Sequence, residues 1–428
     1  MRCFTLFSVT AHFTAGTKLP INLINMNISV ASRLAHTGEY YFSRKLRELA
    51  ALNAAGANII SLGIGSPDLP PHPSVTAALT ATAALPSAHG YQSYQGTPAL
   101  RGALAEFYQR HYGVALDPAT EILPLLGSKE GLMHIGMTFL EAGDAVLIPN
   151  PGYPTYRAVA EICRAEVREY DLTAATGWLP DLGALAATDL SRVKLMLVNY
   201  PHMPTGTSAS RPFLAELVEF ARAHDILLVH DNPYGFVLNE TPPTSLLSVP
   251  GAKDVALELT SLSKSHNLAG WRVGALVGRA DLLADVLRFK SNMDSGMFLP
   301  VQQAAVVALA LGDAWFQELN ATYRARRTLV IELLHALGCA PAPGQVGLFI
   351  WAPVPPLYAD GYALSDAVLA EARVFLTPGG IFGSNGLGYI RASLCQPEAA
   401  LREALARVME MQKGRHAEYS EASLPLTN

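Results

Sequence analysis

Apolar positions along this chain follow two rhythms. The segment PALRGALAEFYQRHY (98–112) repeats its apolar residues at helical spacing and opens with proline, a residue suited to a first turn, so a helix is predicted there. KEGLMHIGMTFLEAG (129–143) reads as a second helix ended by Gly143, and FLAELVEFARAHD (213–225) as a third. Between and after these lie short apolar runs without alternation: AVLIP (145–149), LMLVN (195–199), ILLVH (226–230), VALEL (255–259) and VGALVG (273–278). Continuous runs of that length are how strands buried on both faces of a parallel sheet present themselves. Strand alternating with helix predicts a layered α/β domain.

After residue 280 the character changes. Two long helical stretches (281–311 and 313–338) lead into a Pro- and Gly-rich passage, CAPAPGQVG. Short strands follow in LFIWAP, RVFLTPG and YIRASL, and then a last helix over 397–413. This predicts a separate, smaller α+β domain. The N-terminal helix candidate YYFSRKLRELAALNAAG (40–56) stands apart from the main sheet in sequence. The expected division is therefore 26–75 contributing to the small domain, 76–300 forming the large one, and 301–428 completing the small one. Residues 1–25 hold one arginine and a short apolar stretch diluted by Ser, Thr and His, a loose imitation of a secretory signal without a clean cleavage site. The simpler reading starts the protein at Met26 and treats 1–25 as extraneous.

Composition narrows the classes. The chain has 428 residues, half of them apolar and 16% charged, which excludes a disordered or fibrous protein. A net charge of −5 lacks the basic excess that binding a phosphate backbone requires, so nucleic acid is not an expected partner. Four cysteines (Cys3, Cys163, Cys339, Cys395) are widely spaced, with no CxxC and no metal-ligand spacing. They read as thiols of a reducing compartment, hence a cytoplasmic protein with no metal. No run approaches the roughly eighteen apolar residues of a membrane span.

Four motifs sit where the predicted strands end. SLSKSHNLAGWRVG (261–274) places Lys264 at the end of a buried strand, with Ser261, Ser263 and Arg272 nearby. Desolvation there lowers a lysine's pKa and suits it to form an imine with an aldehyde, while the hydroxyls and guanidinium suit a phosphate. LLGSKEGLMHI (125–135) is a Gly-Ser turn opening a helix, whose free N–H groups favour an anion, although an ordinary serine cap reads the same way. In ILLVHDNPYGF (226–236), Asp231 ends a strand and Tyr234 follows, placed to meet a protonated ring nitrogen and a ring substituent. A turn aspartate before Asn-Pro is the plainer alternative. NPGYPTY (150–156) presents Tyr153 as a plane that either stacks on a heterocycle or fills space beneath a loop. Taken together the motifs describe a cofactor with a phosphate, an aldehyde, a phenolic oxygen and a basic ring nitrogen, which is pyridoxal 5′-phosphate.

The ordered series LGIGSPD (62–68), YQSYQGTPALR (91–101), GSKEG (127–131), NPGYPTY, NYPHMPTG (199–206), DNPY (231–234), SLSKSHNLAGWRVG and YIRASL (389–394) resembles the fold-type I, class I/II aminotransferases over residues 40–410. GSKEG and NYPHMPTG are similar to the LL-diaminopimelate aminotransferase-like branch. The resemblance implies a three-layer large domain with a mostly parallel sheet plus a smaller α+β domain. It also implies an enzyme that moves an amino group between an L-amino acid and a 2-oxo acid. Lys264 corresponds to the Schiff-base lysine, Asp231 to the partner of the pyridine nitrogen, and Tyr234 to the phenol at the ring oxygen. Tyr153 corresponds to the stacking aromatic. Gly127, Ser128 and Lys129, with Ser261 and Arg272, match the phosphate cradle. Arg391 matches the grip on the substrate α-carboxylate, with the backbone around Gly65 closing over it. Tyr91 matches a tyrosine that reaches the neighbouring subunit's phosphate, which implies a homodimer with shared sites.

Two positions depart from the pattern. Met203 stands where an asparagine usually donates to the cofactor's ring oxygen, and a thioether cannot donate, so the Schiff-base pKa should rise unless His202, Asn199 or water compensates. Ser295-Gly296 stands where relatives often carry Asn-Gly near the rim of the site. A β-eliminating C–S lyase would use the same lysine and aspartate and remains an alternative. A PLP-binding regulator is a third reading, disfavoured because only about 40 residues precede the first fold-related helix, too few for a DNA-binding module.

Overall fold

The described residues of this computed structural model are 28–34 and 38–422, so the expectation about residues 1–25 lies outside them. Among them the strands, in chain order, are β1 (Ile60–Ser61), β2 (Ile122–Leu125), β3 (Ala145–Asn150), β4 (Glu166–Asp171), β5 (Val193–Val198), β6 (Leu227–Asn232), β7 (Ala256–Ser261), β8 (Gly274–Gly278), β9 (Phe349–Pro353), β10 (Val374–Phe375), β11 (Thr377–Pro378) and β12 (Tyr389–Ser393). Seven of them form one sheet in the order β2-β8-β7-β6-β5-β3-β4. Within it only β8 runs against its neighbours.

Each central strand buries both of its faces, and alternate residues enter different cores. Leu147, Met196, Leu228, Ala256 and Val277 point to the side covered by helices Pro98–Tyr112, Arg211–Ala223 and Leu299–Leu309. Their sequence neighbours Val146, Leu195, Val229, Leu257 and Leu276 point to the side covered by helices Ser128–Phe139, Pro154–Ile162 and Ala280–Lys290. Such two-sided burial is why the runs read as continuously apolar. It also explains what the pattern hid: β8 is as apolar as its neighbours yet antiparallel, because burial records the faces of a strand and not its direction. The polar edge strand β4 (EVREYD) gave no such signal, in keeping with the charged side chains that protect sheet edges, whereas the short apolar β2 (ILPL) carried the signal and was not anticipated.

A third core lies around β9, β11 and β12 with helices Asp313–Ala336, Gly361–Ala372 and Glu398–Ala422. β1 pairs parallel to β10 there, Ile60 opposite Val374. The stretch predicted as one helix over 281–311 is two, Ala280–Lys290 and Leu299–Leu309. Residues 291–298 break it, with Gly296 at φ +84°. Among the described residues no single helix is long and apolar enough to cross a membrane. The pair Leu299–Leu309 and Asp313–Ala336 passes only when joined across an 89° bend, and both helices contribute buried residues to the cores.

Candidate active site

The carboxyl ends of β6 and β7, the start of helix Ser128–Phe139, and the strand β12 border a cavity of about 500 Å³. That is where open α/β sheets place ligands. Ten of the predicted residues line it: Gly65, Ser128, Lys129, Tyr153, Asp231, Tyr234, Ser261, Lys264, Arg272 and Arg391. Gly127 and Tyr91 do not.

Alternation along β6 sends His230 to one face and Asp231 to the other. His230 is buried, pairing through Nδ1 with Glu258 Oε2 at 2.8 Å and through Nε2 with the Tyr200 carbonyl at 2.9 Å. Asp231 Oδ2 accepts a hydrogen bond from the Tyr156 hydroxyl at 2.9 Å, while Oδ1 is buried without a partner. Burial pushes the carboxyl up to about 6, against the opposing pulls of Tyr156 and His230. A buried acceptor left open at a cavity wall calls for a donor from a ligand.

Lys264 sits in the one-turn helix Leu262–Ser265 directly after β7, and its Nζ donates to the Gly65 carbonyl. Its pKa is lowered, chiefly by burial and further by the Arg391 and Arg272 charges, against a smaller opposing pull from Cys395. Beside it the chain passes from β2 through Gly127, at φ +88°, into helix Ser128–Phe139. A Cβ at Gly127 would lie 2.0 Å from Arg272 Nη2, so only glycine lets that guanidinium reach the helix start. Gly127 thus shapes the cradle from behind. Arg272 itself adopts φ +57° and is anchored through Nη1 to the Ala269 carbonyl at 3.0 Å. Helix N–H groups, two serines and this arginine together make a site for a dianion.

Across the cavity, Arg391 projects from β12 and is 3% exposed. Its Nη2 donates to the Gly63 carbonyl at 2.8 Å and its Nη1 to Met203 Sδ at 3.1 Å, while Nε has no partner. The guanidinium lies 3.8 Å from the Phe349 ring centre, 4.5 Å from Phe382 and 5.5 Å from Phe42. Burial lowers its pKa to about 10. No carboxylate among the described residues pairs with it. Gly65 approaches from the side, where an added Cβ would meet the Phe349 ring at 2.1 Å.

Both possible substitutes for the missing asparagine are partly engaged, although His202 Nε2 is buried without a partner. Asn199 lines the cavity, but its Oδ1 accepts from Met203 N at 2.7 Å and its Nδ2 donates to the Asp231 carbonyl at 2.6 Å. His202 bonds Thr205 at 2.8 Å, lies outside the cavity lining, and is held down to about 3 by burial. Tyr91 is 93% exposed, at a separate cleft with Ser295 and Gly296. Ser263, noted beside Lys264 in the sequence, also lines the cavity, whereas sequence reading missed Tyr156 and the aromatic wall of Tyr40, Phe42, Phe349 and Phe382. Tyr156 stands three residues after Tyr153 at a helix start, a same-face spacing that was available as a signal. The aromatic wall left none.

The family model for aminotransferase class I and II matches residues 57–408. The chain belongs to that family. LL-diaminopimelate aminotransferase from Moorella thermoacetica is 40% identical over 379 residues, 88% of this chain and 97% of the relative. The enzyme of that name from Oleidesulfovibrio alaskensis is 41% identical over 388 residues, 90% of this chain and 99% of the relative. Among solved structures, substrate-bound BacF from Bacillus subtilis superposes with a TM-score of 0.86 at 35% identity, covering 90% of this chain and 98% of that one. An aromatic aminotransferase from Pyrococcus horikoshii gives 0.79 at 26% identity, covering 87% and 99%.

The aminotransferase reading and the expected fold are thereby borne out, and the protein is an enzyme that transfers amino groups with pyridoxal 5′-phosphate. The lyase alternative is not favoured. The residues present fit the cofactor: an open carboxylate oxygen for its ring nitrogen, a desolvated lysine for its aldehyde and a cradle for its phosphate. Away from the cavity, Glu130, His134 and Asp294 bring ligand atoms within 4.8 Å of one another. There the buried Lys290 ammonium already pairs with Asp294 at 2.9 Å.

Proposed function

We propose that Lys264, Asp231, Tyr234 and Arg391 carry amino transfer between an L-amino acid and a 2-oxo acid. The observation that supports it is one cavity holding a desolvated lysine, a buried carboxylate with an open oxygen and a buried guanidinium without a counter-charge. Pyridoxal phosphate, when bound, supplies the aldehyde carbon that takes the amino group and a ring that draws electrons from the substrate Cα–H bond. With the cofactor bound, Lys264 Nζ would be the group that takes the proton from the substrate Cα and returns it on the cofactor's side. Asp231, with Oδ2 held by Tyr156 and Oδ1 open, would accept the ring N–H and stay ionised beside it. Tyr234 would donate to the ring oxygen and Tyr153 would cover the ring face; both line the cavity. The backbone N–H groups of Ser128 and Lys129, with Ser261 and Arg272, hold the phosphate, and Gly127 keeps their approach open. Arg391 grips the substrate α-carboxylate in place of a protein counter-charge, and the Gly65 backbone closes over it.

The test is a half-reaction. Holoenzyme mixed with one amino acid should convert its cofactor to the amine form, releasing the matching 2-oxo acid. Pyruvate and ammonia formed without any acceptor would instead mark a lyase.

The exposure of Tyr91 supports a homodimer in which Tyr91 of one copy completes the other's phosphate site. Mixing inactive Lys264→Ala subunits with Tyr91→Ala subunits should then restore activity; no restoration would overturn the shared site. Buried, unpaired Cys163, Cys339 and Cys395 support a cytoplasmic location, which recovery of the full chain in another cell fraction would contradict. For the domains, residues 26–75 and the C-terminal part form the small unit. The large one extends from 76 through helix Leu299–Leu309, since Ala304, Ala305 and Ala308 lie in the large sheet's core. Limited proteolysis should cut after that helix and not at residue 300.

A further inference from the structure

We propose that the amino acid handled by this enzyme carries a large apolar side chain and no second charge. The proposal rests on the residue roles just given. Once those residues are allotted to cofactor and α-carboxylate, the lining left for a side chain is mostly apolar, led by Tyr40, Phe42, Leu46, Ile64, Phe349 and Phe382, with Ser66 and Asn199 as its neutral polar groups. None carries a charge. Phe42 and Leu46 stand four apart on helix Tyr41–Ala54 and so share a face, and both border the cavity. The same helix packs on the protein through Leu49, in the small cluster with Ile59 and Phe375. Leu46 is 45% exposed, an apolar residue at the cavity mouth that this cluster does not bury.

A second charge on the substrate would find little to meet. Asp231 is the single carboxylate among the cavity-lining residues, and its open oxygen faces the ring nitrogen. A distal ammonium, such as the one on LL-diaminopimelate, would therefore be desolvated without a partner. For a distal carboxylate the one cation not already assigned through its side chain is Lys129, whose Nζ sits 4.5 Å over the Tyr40 ring. The cleft around Tyr91 is also lined by His89, Gln92, Ser295, Met297 and Phe298, with no carboxylate, lysine or arginine among its lining residues. This chain therefore differs in expected substrate from the relatives named for LL-diaminopimelate.

The experiment measures half-reaction kcat/KM of the full-length holoenzyme with L-phenylalanine, L-leucine, L-methionine, L-alanine, L-glutamate and LL-diaminopimelate. The best of the three large apolar amino acids should exceed alanine, glutamate and LL-diaminopimelate by about tenfold or more. Leu46→Glu and Phe42→Ala should each shrink the ratio of that substrate to alanine severalfold, a selectivity readout that a loss of folded protein does not move. Glutamate or LL-diaminopimelate reacting best, or all six within about threefold of one another, overturns the proposal while leaving the transfer chemistry in place. Silence toward all six overturns the residue roles along with it.

Discussion

The floor and the roof of the cavity are built differently. The floor hangs on the ends of β6 and β7 and the start of one helix, and its polar groups are largely tied to neighbours: Asp231 to Tyr156, Ser261 to Ser263 N at 3.2 Å, Arg272 to the Ala269 carbonyl. The roof gathers Tyr40, Phe42, Gly65, Phe349, Phe382 and Arg391 from distant parts of the chain around one buried, unpaired guanidinium. Cation–π contacts of about 0.5 to 2 kcal/mol each offset only part of that desolvation. A floor nearly complete in itself suits a ligand that stays. A roof left one counter-charge short suits a ligand that arrives with a carboxylate and leaves again.

The sharpest way to break this contrast is Lys264→Ala. It should abolish the half-reaction, by more than about 10⁴-fold, along with the visible absorbance of the bound cofactor. Transamination at even a hundredth of the wild-type rate would remove Lys264 from the chemistry. Next in size, Asp231→Ala should slow Cα deprotonation by about 10³-fold in stopped-flow traces while some cofactor remains bound; near-normal turnover would sink the electron-sink role. Arg391→Ala, the test of the roof, should cost about 10²-fold in kcat/KM, most of it in KM. A loss confined to kcat would place Arg391 with the floor.

Tyr156→Phe should have a milder effect, about tenfold, because it removes one hydrogen bond to a charged group. It should also move the acid limb of the pH–rate profile upward, since losing that donor raises the Asp231 pKa further. An unmoved limb would show that Tyr156 only fills space. A last effect concerns stability and not rate. In the cofactor-free protein the Asp231 pKa rises from an ordinary 3.8 to about 6, so the folded state binds more protons than the unfolded one between those values. Stability contributed by this group is therefore greatest below about 4 and is lost as pH rises through 6, on the order of 3 kcal/mol in total. Thermal melts should show Asp231→Asn gaining on wild type by a few degrees as pH rises from 4 to 7. A constant difference would mean that Asp231 is not desolvated.

Much of the floor was legible in the sequence because its chemistry is local. Lys264, Ser261 and Arg272 share one 14-residue stretch after an apolar run, and Asp231 and Tyr234 share another. The central strands were equally plain, since burial on both faces leaves an unbroken apolar signature. Illegible features had their cause at a distance or at an edge. β4 is polar because one side of it meets solvent; the break at 291–298, by contrast, did carry a local signal in Ser291, Asn292, Asp294, Ser295 and Gly296 with Pro300 opening the next helix, and it was passed over. The donor to Asp231 lies 75 residues away in Tyr156.

Sequence alone determined the family and the cofactor's chemistry, and it named most of the polar side chains that line the cavity, because a strand end followed by a short turn places its residues with little help from the rest of the chain. Tertiary structure decided the company Arg391 keeps, the place of His202 outside the cavity lining, the position of Tyr91 on an outer surface and the aromatic wall of the cavity. Those depend on segments up to 350 residues apart meeting in space, and which side chain faces which across such a gap is settled by packing, which no local pattern records.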